Sequence, residues 1–210
     1  MANRVIRDYP EISLKPNDVS GRLDFEDIFG RKGPVHIEVG SGKGTFLLAE
    51  ATAHPEINYL GIEWANKFYK YAVDRIGRWE LKNVRIIRTD AAVFIAENVP
   101  DESVEWFDLY FPDPWPKARH NKRRFFNDTN IIEILRILKN GGIINIATDH
   151  ADYFDQIQEV IAARIAAGTV EITDFTPAAG AREGEAAGTN YERKYIKDKR
   201  KINTVAVRKL

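Results

Sequence analysis

A carboxylate set between two prolines, in Tyr110-Phe111-Pro112-Asp113-Pro114-Trp115-Pro116-Lys117, is the most pointed chemical feature of this sequence. Proline fixes φ, so Asp113 can be held in one orientation at little entropic cost, with Trp115 beside it as an apolar surface for a base. The run Ala118-Arg119-His120-Asn121-Lys122-Arg123-Arg124 follows at once and contains no acid. A basic stretch of this kind suits contact with phosphates, beside a site where a base is acted on. Taken alone, the loop is equally readable as a rigid proline-aromatic turn, and the basic run as a solvated face.

A second constellation lies upstream. Val35-His36-Ile37-Glu38-Val39 runs directly into Gly40-Ser41-Gly42-Lys43-Gly44, and Thr45 then opens a helical pattern. Strand, glycine loop and helix together let backbone approach a ligand closely at a helix N-terminus. A dinucleotide fingerprint would need glycine or alanine where Thr45 stands, and a phosphate-binding P-loop would need serine or threonine at Gly44. What remains is a nucleoside cofactor without a bound pyrophosphate. Glu63 ends the second strand, about where a carboxylate accepts hydrogen bonds from ribose hydroxyls, and Asp90 ends the third. With Glu38 near its cationic end, a sulfonium attached to adenosine fits this set of acids. Glycines in a tight turn with acids capping helices is the structural alternative.

The elements that must position these groups alternate. Short apolar runs at 35–39, 58–62, 84–88, 106–111 and 143–148 predict strands of a parallel sheet covered on both faces, with 170–175 and 204–208 closing it. Between them, 45–53, 67–79 and 130–139 predict helices, the last ended by Gly141-Gly142. A further helix at 153–167 places Phe154, Ile157, Ile161 and Ile165 on one core-facing stripe. Residues 178–188, rich in Gly, Ala and charge, predict a mobile surface loop, and the weakly patterned 1–33 an arm or lid. In an open α/β sheet the ligand crevice lies beyond the carboxyl ends of the strands, which brings the Asp113 loop beside the glycine loop.

The 210 residues fit one domain, 1–210, and no apolar run approaches the roughly 20 residues that cross a bilayer. The first ten residues lack the apolar core of a secretory signal, and the sequence has no cysteine, which fits a reducing cytoplasm. Net charge is zero, yet Arg193, Lys194, Lys197, Lys199, Arg200 and Lys201 form a second basic stretch. No metal is implied, since His36, His54, His120 and His150 show no ligand spacing. His36, inside a strand, is expected to be packed and hydrogen-bonded.

The ordered set of motifs resembles the tRNA (guanine-N7)-methyltransferases of the bacterial TrmB type, within the class I Rossmann-like methyltransferases. The likeness runs through Glu38-Val39-Gly40-Ser41-Gly42, Gly61-Ile62-Glu63, Asp90, the Asp113 loop with its basic run, Ala147-Thr148-Asp149 and Thr189-Asn190-Tyr191-Glu192. It implies an α/β fold with a mostly parallel seven-stranded sheet, helices on both faces and an antiparallel C-terminal strand. It also implies S-adenosyl-L-methionine as cofactor, contacted by Glu38, Gly40, Gly42, Glu63, Asp90 and Asp113, with Asp113 the catalytic residue. Lys117, Asp149, Thr189, Asn190, Tyr191 and Glu192 would bind substrate, and Arg119, Asn121, Lys122, Arg123 and Arg124 would contact RNA. The implied target is N7 of guanine 46 in the tRNA variable loop, and the protein could act as monomer or homodimer. Trp64-Ala65-Asn66 does not match the family pattern. Two segments keep structural alternatives: Thr189 to Glu192 reads as a helix capping box, and Asp149-His150 as a helix cap. A methyltransferase for small molecules or proteins, and a noncatalytic RNA-binding relative, are the competing functions.

Overall fold

The computed structural model describes residues 5–210; Met1 to Arg4, at the start of the expected arm, lie outside the described residues. One eight-stranded sheet has the order β1-β4-β3-β2-β5-β6-β8-β7. Its strands are β1 (Ser13–Leu14), β2 (Val35–Val39), β3 (Asn58–Ile62), β4 (Val84–Ile87), β5 (Val104–Tyr110), β6 (Leu138–Thr148), β7 (Val170–Thr173) and β8 (Asn203–Lys209). Among the described residues only the pairings of β8 with β6 and β7 are antiparallel. Strand order reverses between β2 and β5, which pair in parallel from His36 with Trp106 to Val39 with Leu109. A crevice opens at such a reversal, and the loops that leave both strands line it.

Alternation sorts the strand residues between two cores. Val35, Ile37 and Val39 pack with Phe107, Leu109, Ile144 and Ile146 under α4 (Ala91–Asn98), α5 (Asp128–Ile137) and α6 (Ala151–Ala166). Tyr59, Ile86 and Tyr110 face the other way, against α2 (Thr45–Ala53) and α3 (Asn66–Arg78). His36 and Glu38 share that second face. There His36 Nε2 lies 2.8 Å from Asp108 Oδ2, and Asn145 Nδ2 donates to Asp108 Oδ1 at 2.9 Å. The histidine is packed and hydrogen-bonded, with its ring 5.1 Å from that of Tyr59.

Several expectations are corrected. The sheet has an eighth strand, because Ser13 and Leu14 pair with Ile86 and Ile87; two residues carry no readable periodicity. Gly141 and Gly142 do not end a helix but lie within β6, where the β5–β6 register shifts between Val104 and Trp106. A Cβ on Gly142 would meet Lys139 O at 2.9 Å. On α6 the buried stripe is Tyr153, Ile157, Val160 and Ile161; Ile165 is 41% exposed and Phe154 half-buried. Residues 178–188 are tied down: Ala178, Ala186 and Ala187 join the second core, and Ala179 N donates to Glu50 Oε1. Alanines placed without a period bury as well as any others, but nothing in their order announces it. The described part of the N-terminal segment runs along the outer edge of the sheet at β4. There Tyr9 fills the space a side chain at Gly77 would need.

Candidate active site

The loop after β2 turns through three glycines with positive φ, and Gly44, at +66°, opens α2 in a conformation that penalises a Cβ. Glu63 knits this loop to β3, since its carboxylate accepts from Gly42 N at 2.8 Å and Ala65 N at 2.7 Å. Gly61 allows that approach: a Cβ there would lie 2.6 Å from Ser41 Oγ and 2.5 Å from Leu47 Cδ1. Asp90 is exposed and caps α4, accepting from Ala92 N and Val93 N. The capping alternative is therefore realised at Asp90, while one carboxylate oxygen carries both bonds and leaves the other for a ligand.

Glu38 is different. It is 3% exposed, and its Oε2 has no hydrogen-bond partner among the described residues. Burial, followed by the neighbouring Asp108 carboxylate, pushes its pKa well above the usual carboxylate range. An orphaned buried carboxylate at the strand reversal is costly unless a ligand completes it. A cation is the ligand whose charge reverses that cost, so the residues present fit a sulfonium-bearing nucleoside.

Across the crevice, the loop after β5 is held in an unusual shape. Phe111 and Trp115 adopt φ of 51° and 44°, a region that costs about 1–3 kcal/mol for residues with a side chain. Contacts at both ends hold it there. Phe111 N donates to Ala147 O at 2.7 Å and its ring packs 5.8 Å from Tyr195; the Trp115 ring lies under the Arg123 guanidinium at 4.9 Å and against His120 at 5.9 Å. Asp113 stands exposed between them, close enough to Glu63 for its charge to help raise the Glu63 pKa, a shift caused mainly by burial. Glu63, which ties the glycine loop to β3, thus lies within electrostatic reach of the loop carrying Asp113.

The basic run divides. Lys117, Arg119, Lys122 and Arg123 are exposed, on and beside a 3₁₀ helix at Ala118–Arg123. Asn121 is half-buried and its amide nitrogen faces Trp115 O and Lys117 O, at 3.2 and 3.3 Å. Arg124 departs from the expectation of RNA contact. It is 1% exposed, its Nε donates to Pro114 O at 2.9 Å, its Nη1 to Gln156 Oε1 at 3.0 Å, and its Nη2 pairs with Asp152. The guanidinium also lies 5.0 Å over the Tyr153 ring. A side chain so fully engaged anchors the Asp113 loop to α6 and has no face left for a phosphate.

The remaining expected residues sit around α7 (Asn190–Lys197). Thr189 caps it, its hydroxyl accepting from Glu192 N at 3.1 Å, while Asn190 and Tyr191 are exposed. Glu192 is fully buried and accepts from the backbone N–H groups of Ala186, Ala187 and Gly188, so it orders the preceding loop rather than facing a substrate. His150, not Asp149, caps α6. Asp149 instead forms an ion pair with Arg200, 2.6 Å away, and Arg200 stacks 4.8 Å over Tyr195. The spacing of the sequence does not single out Arg200 and Tyr195; only the second basic stretch hints at the former. Among the described residues no cluster of His, Asp or Glu could hold a metal ion, and no helix is long and apolar enough to cross a membrane.

Residues 32–205 match the model of a family described as a putative methyltransferase. A tRNA (guanine-N(7)-)-methyltransferase of Alkalilimnicola ehrlichii is 33% identical over 96% of this chain and 83% of its own length. One of Rhodopirellula baltica is 39% identical over 70% of this chain, a stretch that spans 56% of that relative. Among solved structures, the 16S rRNA methyltransferase KamB is similar in fold, with a TM-score of 0.62 at 14% identity over 91% of this chain and 95% of that one. The fold is that of the class I methyltransferases, and the chain belongs to the tRNA (guanine-N(7)-)-methyltransferase family.

Proposed function

We propose that the chain transfers a methyl group from S-adenosyl-L-methionine to N7 of a guanine in tRNA, and that the target is guanine 46 of the variable loop. The observation that carries this reading is the orphaned, buried carboxylate of Glu38 beside Glu63, which in turn feels the charge of the proline-clamped Asp113. When bound, the cofactor supplies an electrophilic methyl on a sulfonium. Glu38, Glu63 and Asp90 would hold it, at a loop whose backbone Gly40 and Gly42 leave open to close approach. Guanine N7 has a lone pair and no proton, so no general base is required. Asp113 accepts hydrogen bonds from the guanine's Watson–Crick edge and offsets the positive charge that develops on the purine, while the stiff loop aligns the reacting atoms. Lys117 and Asp149 flank the base. Arg119, Lys122 and Arg123 meet phosphates, and Tyr191, exposed at the start of α7, offers a face for stacking. The reaction belongs in the cytoplasm, where tRNA is matured.

Incubation with unmodified tRNA and methyl-labelled cofactor, followed by mapping of the labelled nucleoside, tests acceptor and atom together. Label in 7-methylguanosine at position 46 is expected. Label in another nucleoside, or none in tRNA, overturns the assignment.

The raised pKa of Glu38 adds a second expectation. In the free protein Glu38 holds a proton that the unfolded chain has already lost, so stability of the free form falls as pH rises from the ordinary carboxylate range through the raised value. A cationic cofactor favours the ionised carboxylate and displaces that proton. Its affinity therefore rises with pH over the same interval, and calorimetry in buffers of different ionisation enthalpy registers proton release. Binding without proton release would move the cationic contact away from Glu38.

A further inference from the structure

Beyond Asp149 an open cleft of about 500 Å³ runs between the start of α6 and the segment from Arg200 to Asn203. This is within the roughly 300–1,000 Å³ typical of small-ligand sites. Phe154 lines it, half-buried and part of neither core, although its spacing on α6 had marked it for the interior. Gln158 and Asn203 line it too, and among the described residues their side chains make no hydrogen bond. Asp155 and Asp149 supply carboxylates, and Arg200 and Lys201 supply cations. Lys194, Lys197 and Lys199 continue the positive edge along and past α7, exposed and without an ion pair among the described residues.

An aromatic surface, amides, the Asp155 carboxylate and cations at the rim form the set that recognises one unstacked nucleotide. The cleft opens beside the site, since Asp149 lines it and its partner Arg200 stacks on Tyr195, which packs against Phe111. We infer that this cleft takes a nucleotide of the RNA next to the target guanine, its base against Phe154 and its phosphate at Arg200 and Lys201. The inference rests on the RNA reading above. Because the free carboxylate, Asp155, is an acceptor only, the cleft favours bases with an exocyclic amine, and uracil fits least well.

The test uses tRNA transcripts carrying an abasic residue at each of the two positions on either side of the target guanine, assayed with the unaltered protein and with Phe154→Ala. Loss of a stacked base corresponds to about 5–100-fold in affinity. One abasic position is expected to raise KM by that factor for the unaltered protein. Phe154→Ala raises KM for intact tRNA by a similar factor, and the two together do no more than either alone. Affinity for S-adenosylhomocysteine stays unchanged. Should Phe154→Ala unfold, Asn203→Ala and Gln158→Ala carry the same comparison at smaller amplitude. Multiplying effects, or variants with unaltered KM, overturn the cleft assignment while methylation by the unaltered protein keeps the RNA reading intact. No methylation of intact tRNA by the unaltered protein overturns both.

Discussion

Asp113→Ala is expected to lower methyl transfer to tRNA by about 10²–10³-fold, the scale on which removal of one preorganised electrostatic contact acts. Binding of the cofactor should survive. Asp113 is exposed and makes no hydrogen bond to the protein among the described residues, so its carboxylate supports neither the fold nor the glycine loop. Its charge raises the pKa of Glu63, and removing it relieves repulsion between two acids in the crevice. Single-turnover rates with saturating tRNA, set beside S-adenosylhomocysteine affinity, separate the two effects. Asp113→Asn keeps one acceptor oxygen and loses the charge, so it should fall between the parent and the alanine variant. Turnover within a few-fold of the parent in Asp113→Ala would show that the loop acts by shape alone.

How much of this was legible beforehand differs from group to group. The strands at 35–39 and 58–62 and the helix at 45–53 fall where apolar runs and the glycine loop put them, because each is bounded by residues with strong local preferences. Asp113, between prolines, and Glu63, just past β3, were legible as lying at the strand tips because spacing alone sets their place. Partner choice was not. Nothing in Arg119 to Arg124 distinguishes a guanidinium that meets solvent from one that meets Pro114 O, since that depends on where α6 returns along the sheet. The same holds for Glu192, whose capping-box position was visible but whose buried carboxylate serves residues 186–188. Phe154 and Ile165 fit an apolar stripe, yet the residues that α6 buries are Tyr153, Ile157, Val160 and Ile161, so periodicity overstated the core. Folding fixed the site's loops through local chemistry and its supports through contacts distant in sequence.

Arg123 and Arg124, adjacent and alike, should respond in opposite ways. Arg124→Ala removes a buried guanidinium, leaves Pro114 O and Gln156 without their partner, and opens a void against Tyr153. Lost hydrogen bonds and packing of that kind cost about 2–4 kcal/mol, or a fall of roughly 4–16 °C in Tm for a chain of this size. Turnover should fall as well, because Pro114 follows Asp113 and the loop loses its tether to α6, while the slope of log affinity for tRNA against log salt stays unchanged. Arg124→Lys keeps charge but not the planar fork, and should recover only part of the stability. Arg123→Ala removes only the stacking on Trp115, about 0.5–1 kcal/mol, so Tm should fall by about 1–4 °C at most, and the salt slope should flatten by about 0.7–0.9, the share of one phosphate contact. Thermal melts and salt titrations of the variants decide the matter. A flattened slope with unaltered Tm in Arg124→Ala would return that residue to the RNA surface and leave the Asp113 loop anchored by its prolines and rings alone.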